Sequence, residues 1–257
     1  MDRNKLISIF KSLNPGYSPK DNDIWKTIVY DSVPLAHPTT HLFREGEKDN
    51  FKAVTAFTER EILDFLFSKH NLHHLLLDEL GLPKGNIKSI RELQDPIIQN
   101  TNEKPGDLDL VLFSLDSVHR AVVIEAKCVK ARTLKSGRIV LNKEKNIAKG
   151  ISQVNQYLKF GFHRTYLLMI LLDDGQHNKR FNQLFRDTNL SVSRKLFNKN
   201  ILKSLHPDIG LIYLKVNQIT GKSILQSGKI SLLTAKIAKK KKQKKTTTNA
   251  ISSLQLD

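Results

Sequence analysis

The chain has 257 residues, 39% hydrophobic and 26% charged, a balance that suits a globular protein with a core of its own and excludes a fibrous class. Its single cysteine, Cys128, excludes a disulfide framework or a cysteine-based zinc site and makes a reducing cytoplasm the default compartment. The net charge of +17 points to a polyanion as partner. A membrane is not expected, because no apolar run approaches the length of a span, no secretory signal opens the chain, and no basic amphipathic helix carries aromatic anchors.

Residues 1–50 mix short apolar patches with turn signals such as Asn14-Pro15-Gly16 and His37-Pro38, and read as a lead-in segment packed on the core. From Thr58 the pattern becomes helical. Thr58 and Glu61 form a capping box, Ile62, Leu63 and Leu66 share a face, and Gly81 and Pro83 stop the helical stretch after Leu80. A strand-rich block follows, with Pro96 to Gln99, Leu108 to Phe113 and Ala121 to Ala126 as strands, the last two joined by a hairpin link from Ser114 to His119. After a basic stretch from Lys127 to Lys143, a helix from about Lys145 to Phe160 leads into an apolar strand, Thr165 to Leu172. Residues 177–204 read as helical, Ile209 to Val216 as a late strand, and Ser223 to Leu225 and Ile230 to Leu233 as lesser strands.

This order describes an α/β protein, one central mixed β-sheet flanked by helices, with a domain over residues 51–233. Residues 234–257 form a lysine run and a polar tail with too little apolar surface to fold, and are expected to stay disordered. Removing the seven lysines between Lys236 and Lys245 still leaves +10 on the rest, so the body is basic too.

The informative stretch runs from Pro105 to Lys127. Asp109 heads one apolar strand, and Glu125 and Lys127 end the next. Strand side chains alternate faces, so Glu125 and Lys127 point the same way while Ala126 points opposite. If the strands pair as a hairpin, Asp109 comes close to Glu125, and two carboxylates and an ammonium converge. Hard oxygen donors of this kind suit Mg²⁺, with Mn²⁺ as the substitute.

An Asp followed one strand later by Glu-x-Lys resembles the motif of the PD-(D/E)xK nuclease superfamily, whose core is restriction-endonuclease-like, in αβββαβ order. Gly106-Asp107-Leu108-Asp109-Leu110-Val111 and Ile124-Glu125-Ala126-Lys127 carry the likeness, and Glu125-Ala126-Lys127 is the only acid-x-Lys tripeptide of this kind in the chain. Gln153 and Tyr157 on the following helix resemble the QxxxY element of RecB-like members, and i, i+4 spacing puts them on one face. The superfamily's frequent proline is not adjacent to Asp109; Pro105 stands four residues earlier.

The resemblance implies a metal-dependent nuclease acting on nucleic acid, with DNA favoured. Asp109 and Glu125, with the Ala126 carbonyl, would be metal ligands. Lys127 would orient the attacking water or stabilise the transition state, and Gln153 and Tyr157 would support the site or contact the backbone. Glu59, on the helix face of Leu63 and Leu66, is a further catalytic candidate or a helix N-terminal charge suited to the dipole. Asp107 is a further ligand candidate or the acidic start of a turn. Superfamily members that cut both strands often act as homodimers, and members that bind without cutting supply the alternative reading.

Other motifs fail on inspection. Gly221-Lys222-Ser223 is no P-loop, since Val216 stands where a glycine is needed. His70, His73 and His74 lack the Glu of a zinc-protease helix. Cys128 should face away from the site and reads as packing.

Overall fold

The computed structural model describes residues 33–34, 54–68, 76–77, 80–82, 85–93, 107–174, 203–219 and 227–255. The strand expected at Pro96 to Gln99, most of the helical stretch at 177–204, the three histidines at 70–74, Ser223 to Leu225 and nearly all of the lead-in lie outside these residues.

In chain order the elements are β1 (Val33–Pro34), α1 (Glu59–Ser68), β2 (Ile87–Leu93), β3 (Leu108–Ser114), β4 (Ser117–Thr133) and β5 (Ile139–Asn142). They continue with α2 (Lys145–Tyr157), β6 (Arg164–Asp173), β7 (Gly210–Ile219), β8 (Ser227–Lys236) and α3 (Lys245–Ser253). The strands form one open mixed sheet in the order β1-β8-β7-β6-β4-β3-β2, with β5 pairing β4 off this path. β4 and β6, and β6 and β7, run parallel; the other neighbours are antiparallel. The α/β class is therefore as expected.

The centre of the sheet follows from its residues. All ten residues of β6 are buried, with an apolar run from Tyr166 to Leu172, as is β4 from Ala121 to Ala126, apolar but for Glu125, the burial of strands covered on both faces. Against one face lies α2, whose Ile147, Gly150, Ile151, Val154 and Tyr157 recur with helical period and pack with Val111, Val123, Leu167 and Met169. On the other face, Ile62, Leu63 and Leu66 of α1 meet Leu110, Ile124, Ala126, Cys128 and Leu168. The capping box forms: the Thr58 amide donates to Glu61 Oε2 at 2.7 Å, and the Glu61 amide to Thr58 Oγ1 at 3.2 Å. Gly81 turns the chain at φ +66°, and the Leu82 amide closes back on Leu77 at 2.9 Å, a Schellman-type stop.

The hairpin link is tighter than expected, with only Leu115 and Asp116 between β3 and β4. β4 continues well past Ala126 into the basic stretch, which turns back as β5. A larger difference lies at the C-terminus. The lysine-rich tail does not stay disordered; it runs on from β8 into α3, which buries Thr247 and Ile251, the latter in the apolar cluster on the α2 side of the sheet. Lys240, Lys242 and Lys245 are exposed, while Gln243, Thr247 and Ile251 are buried. No helix among the described residues is long and apolar enough to cross a membrane.

Candidate active site

The site begins with an interruption in the sheet. β3 pairs with β4 as far as Leu110 opposite Ile124, and β5 resumes pairing only at Lys130 opposite Asn142. Between them, no described strand lies along that edge of β4. Backbone amides left inside a protein must find acceptors, and here two find carboxylates. The Ala126 amide donates to Asp109 Oδ2 at 2.8 Å, and the Cys128 amide donates to Glu59 Oε2 at 2.7 Å. Asp109 arrives from β3, since extending the β3–β4 ladder by one residue sets it opposite Glu125. Glu59 arrives from the first turn of α1.

The alternation of β4 puts Glu125 and Lys127 on the α2 face, as expected. Glu125 has no solvent exposure. The Lys127 ammonium pairs with Glu125 Oε1, donates to the Ala126 carbonyl at 2.8 Å and lies 3.4 Å from Asp109 Oδ2. From α2, the Tyr157 hydroxyl donates to Glu125 Oε2 and sits 3.2 Å from the Asp107 carbonyl. Gln153, one turn earlier on the same helix, has its Oε1 buried without a hydrogen-bond partner. Asp107 itself precedes β3 and is exposed; what it brings to these contacts is its carbonyl rather than its carboxylate.

Burial, reinforced by the charge of Asp109, pushes the Glu125 carboxyl up to about 7, with Lys127 and Tyr157 pulling the other way. Burial also raises Glu59. For Lys127, burial works against the charge, but Glu125, Asp109 and Glu59 outweigh it and the ammonium is held above its ordinary value. Burial pushes the Cys128 thiol up to about 12, which makes it a packing residue and no nucleophile.

Glu59, Lys127 and Cys128 also line a cleft of about 400 Å³, together with Thr58, Arg60, Glu92, Lys130, Lys143, Asn146 and Lys149. Lys143 sits at φ +60° where β5 turns into α2, a left-handed conformation costly for a side-chain-bearing residue and frequent at functional sites. The cleft joins the carboxylate cluster to a basic wall.

The structure thus brings Asp109, Glu125, Lys127, Glu59 and Tyr157 together, with the Ala126 carbonyl between them. Asp109, Glu125 and the Ala126 carbonyl are oxygen donors of the kind a hard divalent cation takes, and in this arrangement all three are engaged by the Lys127 ammonium. Among the described residues, no group of three or more His, Cys, Asp or Glu side chains is placed to hold a metal ion.

Sequence reasoning missed Gly150. A Cβ there would stand 2.4 Å from Lys127 Cγ, so the glycine is what lets the lysine stem pass beneath α2. A lone glycine inside a helical pattern was the available signal. It also missed the cleft lysines at 130, 143 and 149 as a group, which only the β4–β5 turn and the start of α2 assemble. No protein-family model, curated protein or solved structure matches the chain.

Proposed function

We propose that this protein is a metal-dependent nuclease hydrolysing phosphodiester bonds of nucleic acid, with DNA the favoured substrate, on a restriction-endonuclease-like core. The observation that carries the reading is the convergence of Asp109, Glu125 and Lys127 at the gap beside β4, next to a cleft walled by Arg60, Lys130, Lys143 and Lys149. With the short β5 set aside, since it pairs only β4 off the main path of the sheet, the order α1, β2, β3, β4, α2, β6 parallels the αβββαβ order of the PD-(D/E)xK superfamily.

In this reading Asp109, Glu125 and the Ala126 carbonyl hold Mg²⁺ or Mn²⁺. The metal would supply a bound water of lowered pKa and a counter-charge for the phosphate. The basic wall holds the phosphate backbone without reading sequence. Lys127 brings a positive charge to where negative charge develops in the transition state. Tyr157 fixes the Glu125 carboxylate by a hydrogen bond, and the buried Gln153 Oε1 is left to accept a hydrogen bond from a water or a substrate amino group.

Cleavage of circular and linear DNA with Mg²⁺ or Mn²⁺ tests this, with EDTA as control and Glu125→Ala and Lys127→Ala for comparison. Metal-dependent cutting lost in both variants is the expected result, and the circular substrate separates endonuclease from exonuclease. One observation favours a second reading, a nucleic-acid-binding protein that cuts nothing. The Lys127 ammonium already lies against Glu125, Asp109 and the Ala126 carbonyl, so it occupies the oxygens that a metal would need. Binding without cleavage of DNA or RNA under either metal would establish that alternative.

A further inference from the structure

The lysine run is not absorbed by the cleft. After β8 the chain runs from residue 237 to 244 without regular secondary structure, with Lys244 at φ −67° and ψ 145°, and its backbone is fixed to the core. The amides of Lys239, Lys241 and Lys244 donate to the carbonyls of Asp208, His163 and Gly161 at 2.9, 2.9 and 3.0 Å. Gln243 is buried in the middle of the run. Its Oε1 accepts the Ala121 amide at 2.9 Å and its Nε2 donates to the Val118 carbonyl at 2.9 Å. His163 Nδ1 lies 2.7 Å from the Lys241 carbonyl.

Pinned in this way, the run divides its lysines. Lys239 and Lys241 face Asp208 at 3.8 and 2.7 Å, and Lys244 donates to the Lys159 carbonyl at 2.6 Å. Lys240, Lys242 and Lys245 are exposed and have no ion pair among the described residues. Arg120 is exposed as well, and its charge and that of Lys240 both bear on His163. Lys240 and Lys242 are two residues apart on a backbone held at Lys239, Lys241 and Lys244, so their charges stand close together on an anchored segment, within reach of neighbouring phosphates.

We infer that residues 239–245 form an ordered basic strap that contacts the phosphate backbone of nucleic acid, at a place separate from the cleft. Gln243 bonds to β4 at Ala121, six residues and about 20 Å along the strand from Lys127. Because the strap is already ordered, binding does not have to immobilise a loose tail. Nucleic acid fits better than a bilayer. The exposed large hydrophobics among the described residues are Leu115 and Leu134, neither of them in the strap, and interfacial binding to lipid needs apolar anchors among the charges.

The test uses the full chain in EDTA, so that it does not depend on cleavage. Affinity for a mixed-sequence DNA duplex is measured against salt for the wild type, for a Lys240→Gln, Lys242→Gln, Lys245→Gln triple variant, and for the same positions changed to Arg. The slope of log K against log salt is expected to fall by about 3 in the Gln variant and to return in the Arg variant, with all three melting alike. An unchanged slope in the Gln variant overturns the proposal. So does a wild type that binds phosphatidylserine vesicles and not DNA, which would make the strap a lipid-binding surface. A Lys143→Gln, Lys149→Gln variant run alongside separates the two sites. A slope lost there alone assigns binding to the cleft and overturns the strap while leaving the nuclease reading intact. A strap-dependent slope in a protein that never cuts does the reverse.

Discussion

Gly150 of α2 lies directly over the stem of Lys127, so closely that a Cβ would meet Lys127 Cγ at 2.4 Å. Gly150→Ala therefore sets two effects against each other. Alanine favours the helix by about 1 kcal/mol, while overpacking of a tight contact costs about 1–3 kcal/mol. The second effect is expected to win, and cleavage should fall together with stability as Lys127 is displaced. Urea denaturation of wild type, both single variants and the double variant with Lys127→Ala checks the cause. The penalty of Gly150→Ala should vanish once the lysine stem is gone; a penalty that persists would place the clash elsewhere.

Glu125 gives the metal-free protein a characteristic pH dependence. Its carboxyl rises from 4.5 to about 7 on folding, so the folded state favours the neutral form. The stability this contributes is fully present below the unfolded value and is lost as pH rises through about 7. Measured against Glu125→Gln in EDTA, the wild type should lose on the order of 2–3 kcal/mol between pH 4.5 and 7.5. Melting curves of both proteins across that range provide the check, and parallel curves would contradict the assignment.

Glu59 serves the backbone as well as the electrostatics. Its Oε2 accepts the Cys128 amide at 2.7 Å, so Glu59→Ala strands a donor and should cost about 1–3 kcal/mol. Glu59→Gln keeps an acceptor and should recover most of that. Chemical denaturation measures the stability of both, and cleavage assays measure what the charge itself adds. Activity lost equally in both variants would show that the charge, and not the hydrogen bond, is what the site requires.

The docked tail carries a quantitative expectation. Ile251 is fully buried, and Ile251→Ala should cost about 2 kcal/mol or more. On a disordered tail the same change would cost almost nothing. Gln243→Ala, which removes the partners of the Ala121 amide and the Val118 carbonyl, should be destabilising by about 1–3 kcal/mol. Thermal melts of the two variants are sufficient to test both values.

The acidic cluster was legible because strand alternation alone puts Glu125 and Lys127 on one face, and a hairpin alone brings Asp109 back to them. Glu59 was legible through the helical period it shares with Leu63. β2 was not. Its Ile-Lys-Ser-Ile-Arg-Glu-Leu neither alternates nor runs apolar, because an edge strand is half exposed and tolerates charge at Lys88, Arg91 and Glu92. The tail misled through composition. Seven lysines outweigh Gln243, Thr247 and Ile251, yet those three, each four residues from the next, are what anchor it. Gly150 and the cleft lysines depend on how closely α2 approaches β4 and where β5 turns, and tertiary distances of that kind are not written in a local pattern.

The break between β3 and β5 bears on how the chain selects a single sheet. Sliding β4 by one residue would turn Glu125 and Lys127 to the α1 side and Ala126 and Cys128 to the α2 side. It would also carry the two amides that meet Asp109 and Glu59 away from their acceptors. The carboxylates therefore act as a key for strand registration, rejecting the slipped sheet through the same oxygens that gather at the site. Loss of both acids by substitution would accordingly be expected to broaden the native ensemble, visible as faster hydrogen exchange across β4, before any question of catalysis arises.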